Sequence, residues 1–263
     1  MVADTENHRV QLFTNFGVFK NKFGSKGTAE GQFDEPTGVC ELPNGDIAVA
    51  DKNNKRICVF DDRCKFKYKF ETKCKPYSIA CDRKFNIVIG TTNRTVEVYR
   101  RTGPLVYTFS LGGKKSLPGG GFHIDVNNKE EVLVSDPMQN LVKFYTYSGQ
   151  LLYKFMPLSN SEGLSVLTGG VCFTPTDQVV VADSLNHTVN LYTERGILLQ
   201  QLLCPTDNVG TVQTCTLGPE GHLIITEYSI MGEHCMKIFR YRPCACHESR
   251  PGSSKRRTPT QMT

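Results

Sequence analysis

Hydrophobic residues alternate with polar ones over short stretches of the chain, and turn residues separate these stretches. One unit recurs: a β-branched run that ends in Asp, an Asn or Gln three residues later, and an alternating run that closes on an aromatic residue. The unit occupies residues 2–13, 47–60, 87–99, 132–145 and 179–192, with a degenerate sixth copy at 223–239. Alternation with a period of two predicts strands, and no useful length of chain has helical periodicity.

The spacing of the copies indicates the architecture. Their Asp position is filled by Asp4, Asp51, Gly90, Asp136, Asp183 and Glu227, which are 47, 39, 46, 47 and 44 residues apart. A period of this length fits four short strands and their turns, which is one blade of a propeller. The sequence therefore predicts an all-β, six-bladed β-propeller built of four-stranded antiparallel blades.

The first and last blades are expected to be incomplete, because only the third strand occurs six times. We expect blade one to keep two strands, near residues 8–13 and 17–23, and blade six to lack its fourth strand. The simplest account is a chain that starts inside blade one. A five-bladed ring is the alternative, with 17–23 as the outer strand of the last blade. Residues 1–243 then form the propeller, and residues 244–263 a disordered basic tail.

The repeated motif resembles a known family. Val-Ala-Asp-x-x-Asn-x-Arg-Val-x-Val-Phe, best kept in the first, second and fifth copies, is similar to the NHL repeat. The stretch from Gly17 through Gly24 and Gly31 to Pro36-x-Gly-Val looks like the linker between NHL blades. The resemblance covers about residues 2–243 and points to the NHL domain of tripartite-motif (TRIM-NHL) proteins, which implies a six-bladed propeller.

The repeated Asp has a structural interpretation. Its carboxylate ends a strand and can accept hydrogen bonds from N–H groups of the following turn, while the Asn tolerates left-handed backbone in that turn. We therefore expect Asp4, Asp51, Asp136 and Asp183 to support the fold and not to catalyse a reaction.

Charge is unevenly distributed. The chain carries a net charge of +5, yet residues 52–101 alone hold 14 basic and 5 acidic side chains, a net of +9. Residues 102–235 hold 6 basic and 12 acidic side chains, a net of −6. Blades two and three should thus form a basic sector. Lys65, Lys67 and Lys69 alternate on one predicted outer strand, where lysines also protect a sheet edge.

Some of the basic residues fall on turns that should share one face with the blade-to-blade connections. On that face, cations can meet phosphates and aromatic rings can stack on bases, as single-stranded RNA requires. The predicted RNA-binding residues are Lys52, Asn54, Lys55, Arg56, Lys75, Tyr77, Asn93, Arg94, Phe122 and His123. Changing Arg56 and Arg94 to Glu should then abolish RNA binding and leave the fold intact.

Other chemistry leaves little trace in the sequence. No apolar run has membrane-spanning length, and the first residues lack the apolar core of a secretory signal. The 11 cysteines are then expected to be reduced thiols of a cytoplasmic protein, with RNA granules as one place of action. The six histidines lack ligand-like spacing, and Cys244-Ala-Cys246-His247 has no partner pair, so we expect no metal and no cofactor.

Two functions of different kinds remain open. The first is a single-stranded RNA-binding propeller in post-transcriptional repression, including microRNA-linked silencing; a U-rich preference is what the family resemblance implies. The second is a protein-docking platform that selects substrates for a RING-type ubiquitin ligase, or partners from the silencing machinery. We expect no catalytic site in this domain, with an enzyme that uses a metal in the channel as the least favoured reading.

Overall fold

A computed structural model describes residues 1–112, 121–158, 167–218, 221–229, 234–240 and 260–262. These residues form six antiparallel sheets that follow one another along the chain, one of three strands and five of four. Within each sheet, strands adjacent in the sequence are also hydrogen-bonded neighbours. This arrangement is a six-bladed β-propeller, as the repeat predicted, and the five-bladed alternative does not hold, because residues 19–23 pair within blade one.

The strands of each blade run from the innermost to the outermost in chain order. Blades one to three comprise β1 Val2–Asp4, β2 Arg9–Phe13, β3 Phe19–Phe23; β4 Pro36–Glu41, β5 Ile47–Asp51, β6 Arg56–Phe60, β7 Phe66–Glu71; and β8 Pro76–Cys81, β9 Ile87–Thr91, β10 Thr95–Tyr99, β11 Leu105–Ser110. Blades four to six comprise β12 Ile124–Val126, β13 Glu131–Asp136, β14 Leu141–Thr146, β15 Leu151–Phe155; β16 Thr168–Phe173, β17 Val179–Asp183, β18 Thr188–Tyr192, β19 Leu198–Leu203; and β20 Val212–Gly218, β21 His222–Glu227, β22 Cys235–Arg240, β23 Thr260–Met262.

The middle strands form the core. Every residue of β5, β6, β9, β17 and β18 is buried, whereas β7 alternates half-buried and exposed positions. Apolar clusters join neighbouring blades, such as the one that links Val88 and Val96 of blade three to Val132 and Val134 of blade four. Full burial of such a side chain is worth about 1.5–3 kcal/mol, so packing between blades holds the ring together.

A glycine in the turn before the outer strand fastens one blade to the previous one. Gly103 and Gly149 have φ of +105° and +89°. A Cβ at these positions would lie 2.6 Å from the Phe70 side chain and 2.5 Å from that of Phe109. Because contacts this short do not occur, only glycine lets these turns lie on the aromatic residue of the neighbouring blade.

The two terminal blades differ from the prediction. Blade one has three strands, since Val2–Asp4 pairs with Arg9–Phe13; the expected two-strand count omitted it. Blade six has a fourth strand, because Thr260–Met262 pairs with β22. Three residues of the predicted disordered tail are therefore placed in a sheet, and residues 241–259, with Cys244-Ala-Cys246-His247, lie outside the described residues.

The repeat alignment in blade three also needs a correction. Pro36 pairs with Asp51 in blade two, and Pro76 pairs with Thr91 in blade three, so Thr91 and not Gly90 fills the Asp position. The turn after Thr91 is one residue shorter than the turn after Asp51, which hid the shift in the sequence. The Thr91 hydroxyl bonds that of Thr95 at 2.7 Å, where blade two has an ion pair.

Candidate nucleic-acid interface

One face of the propeller carries both the turns between second and third strands and the connections between blades. The N–H of Thr72 donates to the carbonyl of Lys55 at 2.9 Å, and the N–H of Thr92 donates to that of Lys75 at 3.0 Å. The connection 72–75 is therefore held between the turn of blade two and the turn of blade three. The predicted basic turns and the connection between them do meet on one face.

The repeated Asp carboxylates organise this face. Asp51 accepts the N–H of Asp34 at 2.7 Å, the Asn54 amide at 2.8 Å and the Arg56 guanidinium at 2.7 Å. Asp183 accepts N–H groups of the turn that follows it, as predicted. In blade two the backbone donor comes from the preceding connection instead, so the carboxylate ties that connection to the turn.

Arg56 is part of the same structural network. Its side chain is only 7% exposed and lies against the fully buried Asp51. The guanidinium also donates to the carbonyl oxygens of Thr28 at 2.5 Å, Ala29 at 3.2 Å and Gln32 at 2.8 Å. Through these contacts the Arg56 guanidinium holds the connection that leads into blade two. The prediction that Arg56 contacts phosphate directly is therefore wrong, because its side chain is buried and its donors are already used.

Arg94 joins two blades. It donates two hydrogen bonds to Asp136, at 3.1 and 2.8 Å, and one to the carbonyl of Gly112 at 3.0 Å. Lys143 reaches the same carboxylate at 2.7 Å. Burial alone would raise the pKa of Asp136, but hydrogen bonds and charges from Arg94 and Lys143 lower it below its usual range. The expectation that Arg56 and Arg94 can be reversed in charge without harm to the fold does not fit these contacts.

Phe122 belongs to the core and not to the surface. The ring is 1% exposed, and it packs in the cluster that joins blades three and four. Its backbone carbonyl accepts the Ser78 hydroxyl at 2.8 Å. A Cβ at Gly90 would lie 2.8 Å from the Phe122 ring, so the glycine in blade three makes room for that ring. The predicted stacking role of Phe122 is corrected to packing at the blade junction.

Tyr77 and His123 form a half-buried aromatic pair at the same junction. Their rings meet edge to face with centroids 5.6 Å apart. Burial raises the pKa of Tyr77 and lowers the pKa of His123 to about 4. The imidazole is therefore neutral at physiological pH, and this pair can offer ring surface but no positive charge.

Three lysines from blade two and the connection that follows it provide solvent-exposed positive charge on this face. Lys55 and Lys73 are exposed, and within the described part of the chain neither side chain has an ion pair or hydrogen bond. Lys75 is also exposed, and its ammonium group donates to the Asn53 side-chain carbonyl at 2.9 Å. We call Lys55, Lys73, Lys75 and the neighbouring Asn93 the basic rim.

The remaining predicted residues divide between the rim and its support. Asn93 is exposed, and its side-chain amide donates to the Cys74 sulfur at 3.4 Å. Lys52 pairs with Glu35, and this hydrogen bond lowers the pKa of that carboxyl. Asn54 is half-buried, with its amide hydrogens on Asp51 and on a backbone carbonyl. Lys52 and Asn54 thus shape the turn that presents Lys55.

Asp125 is an ionisable residue that the sequence did not single out, because it sits in a short apolar strand, β12. Burial raises its pKa to about 6, against the N–H groups of Phe173 and Val126, which donate to it at 2.8 Å each. The charge of Asp125 is one of the causes that raise the pKa of the Cys40 and Cys172 thiols. Asp125 lies two residues from His123, whose pKa is shifted the other way.

These opposite shifts predict a pH dependence of folding stability. Burial favours the protonated, neutral form of Asp125. The folding stability that this form contributes is fully present below the ordinary pKa of 3.8 and is lost as pH rises through about 6. The stability from His123 is present above 6.5 and is lost as pH falls through about 4. The two effects oppose each other in the same pH window. Removing Asp125 should therefore make the chain lose stability more steeply between pH 6.5 and 4.

Urea midpoints of the wild type, Asp125→Asn and His123→Gln at pH 4, 5, 6 and 7 measure this effect. His123→Gln serves as the opposite control, because it should gain stability relative to the wild type as the pH falls. Parallel midpoint curves for all three proteins would show that neither group has a displaced pKa.

Two negative observations concern the described ranges alone. No group of three or more His, Cys, Asp or Glu side chains there has the arrangement that could hold a metal ion. No helix in those ranges has both the length and the apolar content to cross a bilayer.

Sequence comparisons connect this geometry to known proteins. The NHL repeat profile matches residues 33–60, which include Asp51 and Arg56. The chain is 31% identical over 148 residues to protein brain tumor of Drosophila melanogaster, covering 52% of this chain and 14% of that protein. It is 48% identical over 60 residues to the B-box type zinc finger protein ncl-1 of Caenorhabditis elegans, covering 23% and 7%. RING finger protein nhl-1 of the same species is 44% identical over 48 residues, covering 18% and 5%. The matches thus span about a seventh or less of these relatives.

Solved structures agree on the architecture. A protein from Bacteroides caccae superimposes with a TM-score of 0.68 at 14% identity, covering 90% of this chain and 87% of that one. Virginiamycin B lyase from Staphylococcus aureus superimposes with a TM-score of 0.61 at 15% identity, covering 84% and 71%. At such identities the likeness concerns the fold alone.

Proposed function

We propose that this chain, an NHL-repeat propeller that belongs with the TRIM-NHL proteins, binds single-stranded RNA through the basic rim. RNA would run across the turns of blades two and three, with phosphates on Lys55, Lys73 and Lys75. Base edges would meet Asn93, and bases would stack near Tyr77 and His123. In this proposal the chain acts in the cytoplasm as the RNA-reading part of a post-transcriptional repressor.

One observation carries the proposal: the basic rim is a group of accessible lysines without acidic partners, on a face that also offers aromatic surface. Lys52 nearby is neutralised by Glu35, and Arg56 and Arg94 are buried in ion pairs. Lys55 and Lys73 have no such partner among the described residues. Unpaired cations beside ring surface suit a flexible polyanion, because phosphates meet the charge while bases stack.

Neutralising part of the rim tests this function. Lys55→Gln/Lys73→Gln should weaken binding of an RNA selected from a random pool, and should reduce the slope of log affinity against log salt by roughly 1.4, since each lost single-strand phosphate contact removes about 0.7. The measurement is a salt titration of RNA affinity between about 50 and 200 mM.

The matched control is Lys84→Gln/Lys129→Gln, which removes the same charge from other turns. These lysines pair with Glu130 and Asp177. The control should leave the salt slope within experimental error of the wild type. An equal loss in both double variants would mean that net charge alone attracts RNA and that the rim is not the site.

A second candidate function, protein docking, is supported by exposed apolar side chains around the outer strands of blades four and five. Leu151, Met156, Ile197 and Leu199 are 44, 59, 65 and 46% exposed. In this candidate function, these side chains would form the surface that contacts a protein partner. The partner would select substrates for a ubiquitin ligase or belong to the silencing machinery. Capture of a protein partner by the chain that persists at high salt, and that is lost in the Ile197→Lys variant, would support docking.

A further inference from the structure

A pocket of about 470 Å³ opens at the outer edge of blade two, next to the turn that presents Lys55. It lies apart from the Tyr77–His123 pair. Its size falls within the roughly 300–1,000 Å³ range of small-molecule sites. The pocket is lined by Thr28, Asn54, Arg56, Lys69, Phe70 and Glu71.

The floor of the pocket is rigid. Arg56 is fixed by Asp51 and by three backbone carbonyls, as described above. Both amide hydrogens of Asn54 are used, one by the carbonyl of Gly27 at 2.9 Å and one by Asp51 at 2.8 Å. Only the carbonyl oxygen of Asn54 is left to meet a ligand, and it accepts hydrogen bonds.

Two charged side chains without partners lie at the solvent-exposed edge of the pocket. Lys69 and Glu71 are exposed, and across the ranges that the structure describes neither side chain has an ion pair or hydrogen bond. Lys67 on the same strand differs, because Asp46 holds its ammonium group at 2.8 Å. Lys69 is therefore free to act on a ligand, whereas Lys67 is committed to the fold.

Phe70 lies between Lys69 and Glu71 along β7, but its side chain projects to the opposite face of the strand, toward blade three. Its ring is half-buried against Tyr99, with centroids 5.2 Å apart, and Gly103 lies against it. The ring is held in place by both neighbours. The ring therefore holds β7 against blade three, and Lys69 and Glu71 project from a strand whose position is fixed.

We propose that this pocket binds the guanine base of an RNA that continues outward from the basic rim, an inference that rests on the proposed function. Guanine presents adjacent N–H donors on its Watson–Crick edge, which suit the Glu71 carboxylate and the Asn54 carbonyl. Its O6 and N7 acceptors suit the Lys69 ammonium group. Uracil lacks the amino group, so it leaves an acceptor of the pocket unmatched.

The test uses the 263-residue chain, isotopically labelled, with guanosine, adenosine, cytidine and uridine 5′-monophosphates as separate probes in NMR titrations. Guanosine monophosphate should bind best and shift the amide resonances of Thr28, Asn54 and Phe70. Lys69→Ala should weaken its binding about tenfold or more, because a charge-assisted hydrogen bond is lost. Lys67→Ala, the matched control, should leave the affinity within about twofold.

Equal binding of the four nucleotides, shifts confined to other residues, or an unchanged affinity of Lys69→Ala would overturn the pocket assignment. The rim variant Lys55→Gln/Lys73→Gln separates this outcome from failure of the proposed function. It should lose RNA affinity and keep its guanosine monophosphate affinity. Guanosine-selective binding in a chain that retains no RNA would keep the pocket as a nucleotide site and overturn its role in RNA binding, and with it the proposed function.

Discussion

Replacing Arg94 by Glu will destabilise the whole propeller, and any loss of RNA binding will follow from the loss of fold. Arg94 and Asp136 are 5% and 0% exposed, and their side chains join blades three and four. The substitution removes the two hydrogen bonds to Asp136 and the one to Gly112, and it places a second carboxylate beside the buried Asp136. Breaking a buried ion pair costs about 3–5 kcal/mol. That is a large share of the roughly 5–15 kcal/mol by which domains are stable.

Urea unfolding followed by circular dichroism measures this loss. Lys73→Glu is the matched control, because it makes the same charge change on the same face at an exposed residue whose side chain has no partner in the described structure. Its stability should stay within about 0.5 kcal/mol of the wild type. A well-folded Arg94→Glu protein that lacks only RNA affinity would restore Arg94 as a ligand contact.

Phe122→Ala will have an effect of similar size. The ring is fully buried between blades three and four, so truncation leaves a cavity where nothing else can pack. Loss of a buried Phe costs about 3–5 kcal/mol. The unfolding midpoint should fall accordingly in the same assay, and binding of RNA by the fraction that remains folded should persist.

Gly90→Ala gives an independent check of the same contact. Its added Cβ would meet the Phe122 ring at 2.8 Å and the Ser78 hydroxyl at 2.6 Å. Overpacking of this kind costs roughly 1–3 kcal/mol. Because both changes act on one contact, their costs should not add in the double variant. Additive costs, or a stable Phe122→Ala protein, would mean that the ring does not fill this junction.

The repeat made the architecture predictable, since alternation and period depend on short stretches of sequence. The same holds for the structural role of Asp51 and Asp183, whose partners lie in nearby turns and connections. Blade three was misaligned by one residue because its turn is shorter and Thr91 carries no carboxylate. Val2–Asp4 was missed as a separate strand because three residues show little periodicity.

The fate of individual charges could not be predicted in this way. Arg94 is paired with a carboxylate 42 residues further along the chain, and Arg56 with carbonyls 24 to 28 residues before it. Nothing local distinguishes these arginines from Lys55 or Lys73. The difference between Lys67 and Lys69 likewise depends on Asp46, which lies 21 residues from Lys67. Long-range pairing therefore decides which cations remain available to RNA.

Hydrogen–deuterium exchange of the chain with and without RNA selected from a random pool tests the central claim most directly. The RNA should slow exchange of amides in residues 52–55, 72–75 and 91–94, and leave residues 82–86 and 127–130 unchanged. Slowed exchange at the latter two segments alone, or no retained RNA at low salt, would contradict binding at the basic rim.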